Sequence, residues 1–132
     1  MIGLDTNILV RFLTLDDLKQ SQIIKNYFVK YQKENVLFFI SNVVILELLY
    51  VLESVYDYER DDIVNAIQTL SKVHNFKFEN NNLLREFIVT SKKENTELTD
   101  LFIGLISKNA GCNTTITFDR KSSKSKLFTL LK

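Results

Sequence analysis

The chain has 132 residues, 45% hydrophobic and 25% charged, the balance of an ordinary globular protein and a length that predicts a single domain over residues 1–132. Its 17 basic and 16 acidic residues leave a net charge of +1, so bulk electrostatics announces no nucleic-acid partner and any case for one rests on local charge. A lone cysteine excludes an internal disulfide framework, no uncharged apolar run nears the roughly 20 residues that cross a bilayer, and Asp5 interrupts what would be a signal-peptide core; a soluble, cytoplasmic protein with no membrane partner is the expectation.

The opening IGL predicts a short strand ending at Asp5, with Thr6 or Asn7 capping a helix through ILVRFL. Asp16 and Asp17 open a second helix, in which Ile23, Ile24, Tyr27, Phe28 and Tyr31 recur on one face. VLFFI at 36–40 is a continuous apolar run of β-formers, as in a buried parallel strand. Ser41 or Asn42 then caps a helix running to about Tyr56, and a further helix fits 60–73, with Asp61 and Asp62 in the first turn where the helix dipole favours them. FKFE at 76–79 alternates like an edge strand, and Asn80 to Asn82 cap a helix to about Lys93. Thr99 precedes a helix that stops near Gly111. TTITF at 114–118 is the clearest strand and ends at Asp119; LFTLL at 127–131 is a last strand. Apolar strands alternating with helices predict an α/β sandwich, three layers around a mostly parallel sheet.

Four acids stand apart from the sixteen. Asp5 lies between IGL and ILV, Asp119 directly follows TTITF, Asp100 precedes LFIGLI, and Glu47 is the only charge in a helix reading NVVILELLYVL. A buried lone carboxylate costs several kcal/mol or more unless it is paired or bound to a cation, and a helix apolar nearly all round makes Glu47 the costliest. Sites in parallel sheets form beyond the carboxyl ends of the strands, where Asp5 and Asp119 fall and where the helices of Glu47 and Asp100 can reach. Any one of these acids is as readily a helix cap or a half-exposed ion-pair partner; the four together point to a shared site. Their repulsion calls for a neutralising cation, and oxygen ligands without histidine or thiol select Mg²⁺ or Mn²⁺.

These residues resemble the motifs of the PIN-domain family, and of VapC-type toxins in particular. LDTNILVRFL carries Asp5, ISNVVILELLYVL carries Glu47, ELTDLFIGLISKNAG carries Asp100, and TITFDR carries Asp119 with Thr117. The four occur in the family's order over nearly the whole chain. The resemblance implies a metal-dependent endoribonuclease, a homodimer, and a small antitoxin that blocks the site. It implies metal ligation and catalysis by Asp5, Glu47, Asp100 and Asp119. Glu97 matches a secondary acid that either ligates a second ion or orients water, and Asn7 and Thr117 match positions that support the acids by hydrogen bonds. After Asp119, RKSSKSK departs from the family's aromatic and glycine residues.

Arg11, Arg120, Lys121 and Lys124 lie close in sequence to these acids and suit an RNA backbone, although charge runs of this kind are as often solvated loops. Tyr50, Tyr56 and Tyr58 fit core packing or a dimer surface better than base stacking; His74 has no catalytic part; Cys112 is expected in the core. The competing readings are a catalytically silent binding module and a PIN nuclease of RNA processing or DNA. Intact acids oppose the first, and the lack of long insertions opposes a flap-type DNA nuclease. A phosphatase of the haloacid-dehalogenase type needs a second aspartate where Asn7 stands.

Overall fold

The five apolar runs form five strands, and every strand pairing is parallel. The computed structural model describes residues 1–132 and divides them into two units, Met1–Glu79 and Asn80–Lys132. Strands alternate with α-helices as far as the fourth strand, because a parallel pairing needs a crossover long enough to hold a helix, and a 3₁₀ turn alone separates the fourth strand from the fifth.

In the first unit, β1 (Ile2–Gly3) leads into α1 (Thr6–Leu13) and α2 (Leu18–Gln32), β2 (Phe38–Ile40) into α3 (Asn42–Ser54) and α4 (Arg60–Ser71), and the unit closes on β3 (Phe76–Phe78). β2 is central, with Ile2 and Phe76 on either side of Phe38. Phe38 is wholly buried; its ring centroid lies 4.9 Å from Phe28 on α2 and 6.3 Å from Phe76, while Phe12 of α1 packs 5.5 Å from Phe28. On α2 the expected apolar stripe is only partly buried. Ile24 is inside, but Ile23 and Tyr27 are exposed.

Each helix in this unit up to α3 is started by a side-chain oxygen. Asp17 accepts from Gln20 N–H at 3.0 Å and Ser41 from Val44 N–H at 3.2 Å. The cap of α1 is Asp5 itself, accepting from Ile8 N–H at 3.1 Å, rather than Thr6 or Asn7. Two further expectations are corrected. Glu47 is exposed, not buried: Ile45, Leu48, Leu49 and Leu52 already complete the inward face of α3, and Val43, Glu47 and Tyr50, spaced four and three residues apart, form a solvent stripe on the other side. Cys112 is also exposed, because it lies in the turn beyond α6 and not in a strand.

In the second unit, Asn80 caps α5 (Asn81–Ser91) by accepting from Leu83 N–H at 3.0 Å. Then come α6 (Leu98–Asn109), β4 (Thr115–Thr117), a 3₁₀ turn (Ser122–Lys124) and β5 (Phe128–Leu130). Thr115 pairs with Phe128 and Thr117 with Leu130. Phe87 and Phe102 join α5 to α6 edge-to-face at 5.4 Å. Gly111, at φ 103°, ends α6 in the left-handed conformation that glycine adopts without strain.

Gly104 marks the close approach of α6 to β5. A Cβ there would stand 2.8 Å from Cε2 of Phe128 and 3.2 Å from Cβ of Leu127. Gly104→Val is therefore expected to destabilise the protein by about 2 kcal/mol through overpacking. Urea unfolding measures this, and an unchanged midpoint would show that the ring yields freely.

Candidate active site

Asp5 and Asp119 occupy equivalent places, each two residues beyond a parallel strand, β1 and β4 respectively. At Asp5 the extended backbone (φ −90°, ψ 173°) turns one carboxylate oxygen back onto α1. The neighbouring Thr6 is buried, and its hydroxyl donates to Glu47 Oε2 at 3.3 Å. Asp5 and Glu47 are thus held to the same short stretch of α1, one through its helix cap and one through Thr6.

The second unit carries the other two acids in a tighter arrangement. Asp119 Oδ1 accepts from the backbone N–H groups of Lys121 at 2.8 Å and Ser122 at 3.2 Å. Its own N–H donates to Thr117 Oγ1 at 3.0 Å. Asp100, half-buried in the first turn of α6 where the dipole favours an anion, accepts at Oδ2 from the Ser122 hydroxyl at 2.9 Å. Glu97 is the N-cap residue of the same helix and makes no side-chain cap bond.

The acids accordingly fall two to each unit, one of each two (Glu47, Asp100) taking a buried hydroxyl and the other (Asp5, Asp119) backbone N–H groups. No group of three or more His, Cys, Asp or Glu side chains is gathered closely enough to hold an ion. The donors are nevertheless the right kind: four carboxylates with no soft ligand match a hard divalent cation. Thr6 and Ser122 were not legible as site residues, since a hydroxyl near an acid in sequence is too common to carry a signal.

The basic residues divide. Lys121 and Lys124 line a cleft of about 230 Å³ with Glu94, Thr96 and Ser125, and Arg120 is exposed beside Asp119. Arg11 already has partners: Nε donates to Gln20 at 2.7 Å, and Nη1 donates to the Tyr56 hydroxyl at 2.9 Å and meets Asp16 at 3.3 Å. With Asn7 and Asp5 it lines a separate cleft of about 420 Å³ between α1 and α2.

The Tyr56 hydroxyl passes that interaction on, donating to Asp16 Oδ2 at 2.7 Å, while Thr14 donates to Oδ1 at 2.8 Å. These two bonds, the first foremost, hold the Asp16 carboxyl below its ordinary value, and the Tyr56 bond raises Arg11. A depressed folded-state value contributes stability that is present above the unfolded aspartate value of about 4 and lost as pH falls through the folded one. Tyr56→Phe is therefore expected to cost more at about pH 7 than at about pH 3, which lies below the unfolded aspartate value and where part of that contribution is already lost. Urea unfolding of both proteins at the two pH values checks this; an equal cost at both would show that Tyr56 acts only by packing.

A family model described as the PIN domain matches residues 2–125. The chain belongs to the PIN-domain family. Among curated proteins, it is 29% identical over 121 residues to a VapC ribonuclease of Aquifex aeolicus (strain VF5), covering 92% of this chain and 89% of that protein. Both acid pairs lie within the matched PIN-domain segment, as do Thr6 and Ser122. No helix of this PIN-domain chain is long and apolar enough to cross a membrane.

Proposed function

We propose that the protein is a metal-dependent endoribonuclease, the toxin of a toxin–antitoxin pair, in which Asp5, Glu47, Asp100 and Asp119 together hold Mg²⁺ or Mn²⁺. What supports this is a complete set of four acids in a PIN domain, two of them just beyond the ends of parallel strands, where α/β sites form. When bound, the cation supplies Lewis-acid polarisation of the scissile phosphate and lowers the pKa of water. Glu47, exposed and anchored at only one oxygen by Thr6, completes the ligand set or takes the proton of the attacking water. Asn7 stands beside Asp5 in one cleft, Thr117 fixes the backbone of Asp119, and Glu97 orients water or ligates a second ion.

Arg120, Lys121 and Lys124 contact the RNA backbone next to Asp119, since like charge must be offset for a phosphate to reach an acidic site. Arg11 keeps the loop before α2 in place and meets RNA from its remaining exposed edge. The exposed Val43, Tyr50 and Val55 are apolar surface of the kind that a second copy in a homodimer, or a small antitoxin, covers.

Incubation of purified protein with total RNA and Mg²⁺ or Mn²⁺ tests the reading. Discrete fragments that EDTA abolishes are expected. Intact RNA with either ion, from folded protein free of any partner, would rule out the nuclease and leave a binding module.

A further inference from the structure

One residue touches both acids of the second unit, Asp100 through its side chain and Asp119 through its backbone. Ser122 opens the 3₁₀ turn and is 2% exposed. Its hydroxyl donates to Asp100 Oδ2 at 2.9 Å, and its backbone N–H donates to Asp119 Oδ1 at 3.2 Å. A serine hydroxyl has a single proton to give, and here it is given to Asp100. Asp119 Oδ1 takes a second N–H from Lys121 at 2.8 Å. In each acid, then, one oxygen is committed to the turn, while Asp100 Oδ1 and Asp119 Oδ2 receive no protein donor.

We infer that Ser122 is a positioning residue that presents Asp100 and Asp119 as a preset pair of ligands for a divalent cation. This rests on the metal-dependent reading of the site and assigns a role to a segment, RKSSKSK, that departs from the family pattern. A carboxylate has a broad torsion about its last bond. An unrestrained Asp100 must give up that freedom each time it ligates, whereas one already fixed by a buried hydroxyl has given it up on folding. The same residue anchors the turn that positions Asp119, so both ligands are set by one short piece of chain. Partners that orient metal ligands are typically worth 10–100-fold in affinity.

Calorimetric titration of Mn²⁺ into the full chain tests this, with wild type, Ser122→Ala, Ser122→Thr and Asp100→Asn each measured below its own unfolding transition in EDTA. Ser122→Ala is expected to bind Mn²⁺ at least about tenfold more weakly, and Ser122→Thr, which keeps the hydroxyl, to recover most of the loss. Wild-type affinity in Ser122→Ala, alongside lost affinity in Asp100→Asn, would overturn the role of Ser122 and leave the metal site standing. A threonine variant that melts like wild type in EDTA but binds as weakly as the alanine one would also overturn it, because the hydroxyl would not be the active element. Unchanged affinity in Asp100→Asn would overturn the metal reading itself.

Discussion

Asp5→Asn is expected to abolish metal-dependent RNA cleavage while leaving the melting temperature close to that of wild type. The two effects separate because Asp5, in the proposed reading of the site, has two jobs. Its carboxylate oxygen caps α1 by accepting from Ile8 N–H, and an asparagine amide oxygen caps a helix about as well. Its negative charge, by contrast, is what a hard cation binds, and a neutral amide is a much poorer ligand. The loss of activity should exceed the roughly 100-fold that follows from disturbing a group that only orients a ligand. Asp5→Ala removes the cap as well and should cost about 1 kcal/mol of stability in addition. Cleavage assays on total RNA, with thermal melts of the same preparations, check both. Residual cleavage near the wild-type level in Asp5→Asn would remove Asp5 from the catalytic set. Equal melting temperatures for the asparagine and alanine variants would show instead that the cap contributes nothing.

The strands were legible because their apolar runs are short, bounded by polar residues and rich in β-formers, and VLFFI and TTITF both mark real strands. Helix starts were legible to within a residue or two where Asp, Ser or Asn precedes an apolar repeat, as at Asp17, Ser41 and Asn80. At Asp5 the same rule applied one residue earlier than expected, since an acid already assigned to chemistry hides its capping role. Burial was harder to read than periodicity. NVVILELLYVL has more apolar residues than one helix face can bury, so Val43 and Tyr50 were left outside with Glu47, and no feature of the local sequence says which face wins. Arg11 looked available because it lies close to Asp5 in sequence. Its partners Asp16 and Tyr56 come from a loop and from the turn just beyond α3, 45 residues away in the latter case, and local reading does not reach that distance. The four acids proposed as ligands stand out among sixteen because each sits at the end of an element or in an apolar run. The hydroxyls that bond Glu47 and Asp100 do not, since serine and threonine are equally at home on any surface.

Phe38→Ala is expected to produce the opposite pattern to Asp5→Asn: a large loss of stability with the chemistry preserved wherever the protein remains folded. Phe38 is fully buried on the central strand of its sheet, paired on one side with Ile2 and on the other with Phe76. Its ring meets those of Tyr27, Phe28 and Phe76. Truncating such a residue removes its transfer free energy and leaves a cavity, together costing about 3–5 kcal/mol, a large share of the roughly 5–15 kcal/mol that holds a domain folded. For a chain of this length, the melting temperature should fall by roughly 10–20 °C. The site feels this indirectly. β2 runs straight into Ser41, the cap of α3, and α3 carries Glu47, so the strand must be in place for that acid to be. Below its lowered transition Phe38→Ala should still cleave RNA at close to the wild-type rate, and above it not at all. Cleavage measured at several temperatures across both transitions discriminates the cases. A folded Phe38→Ala protein that fails to cleave would mean that the ring cluster sets the position of Glu47 and does not merely hold the unit together.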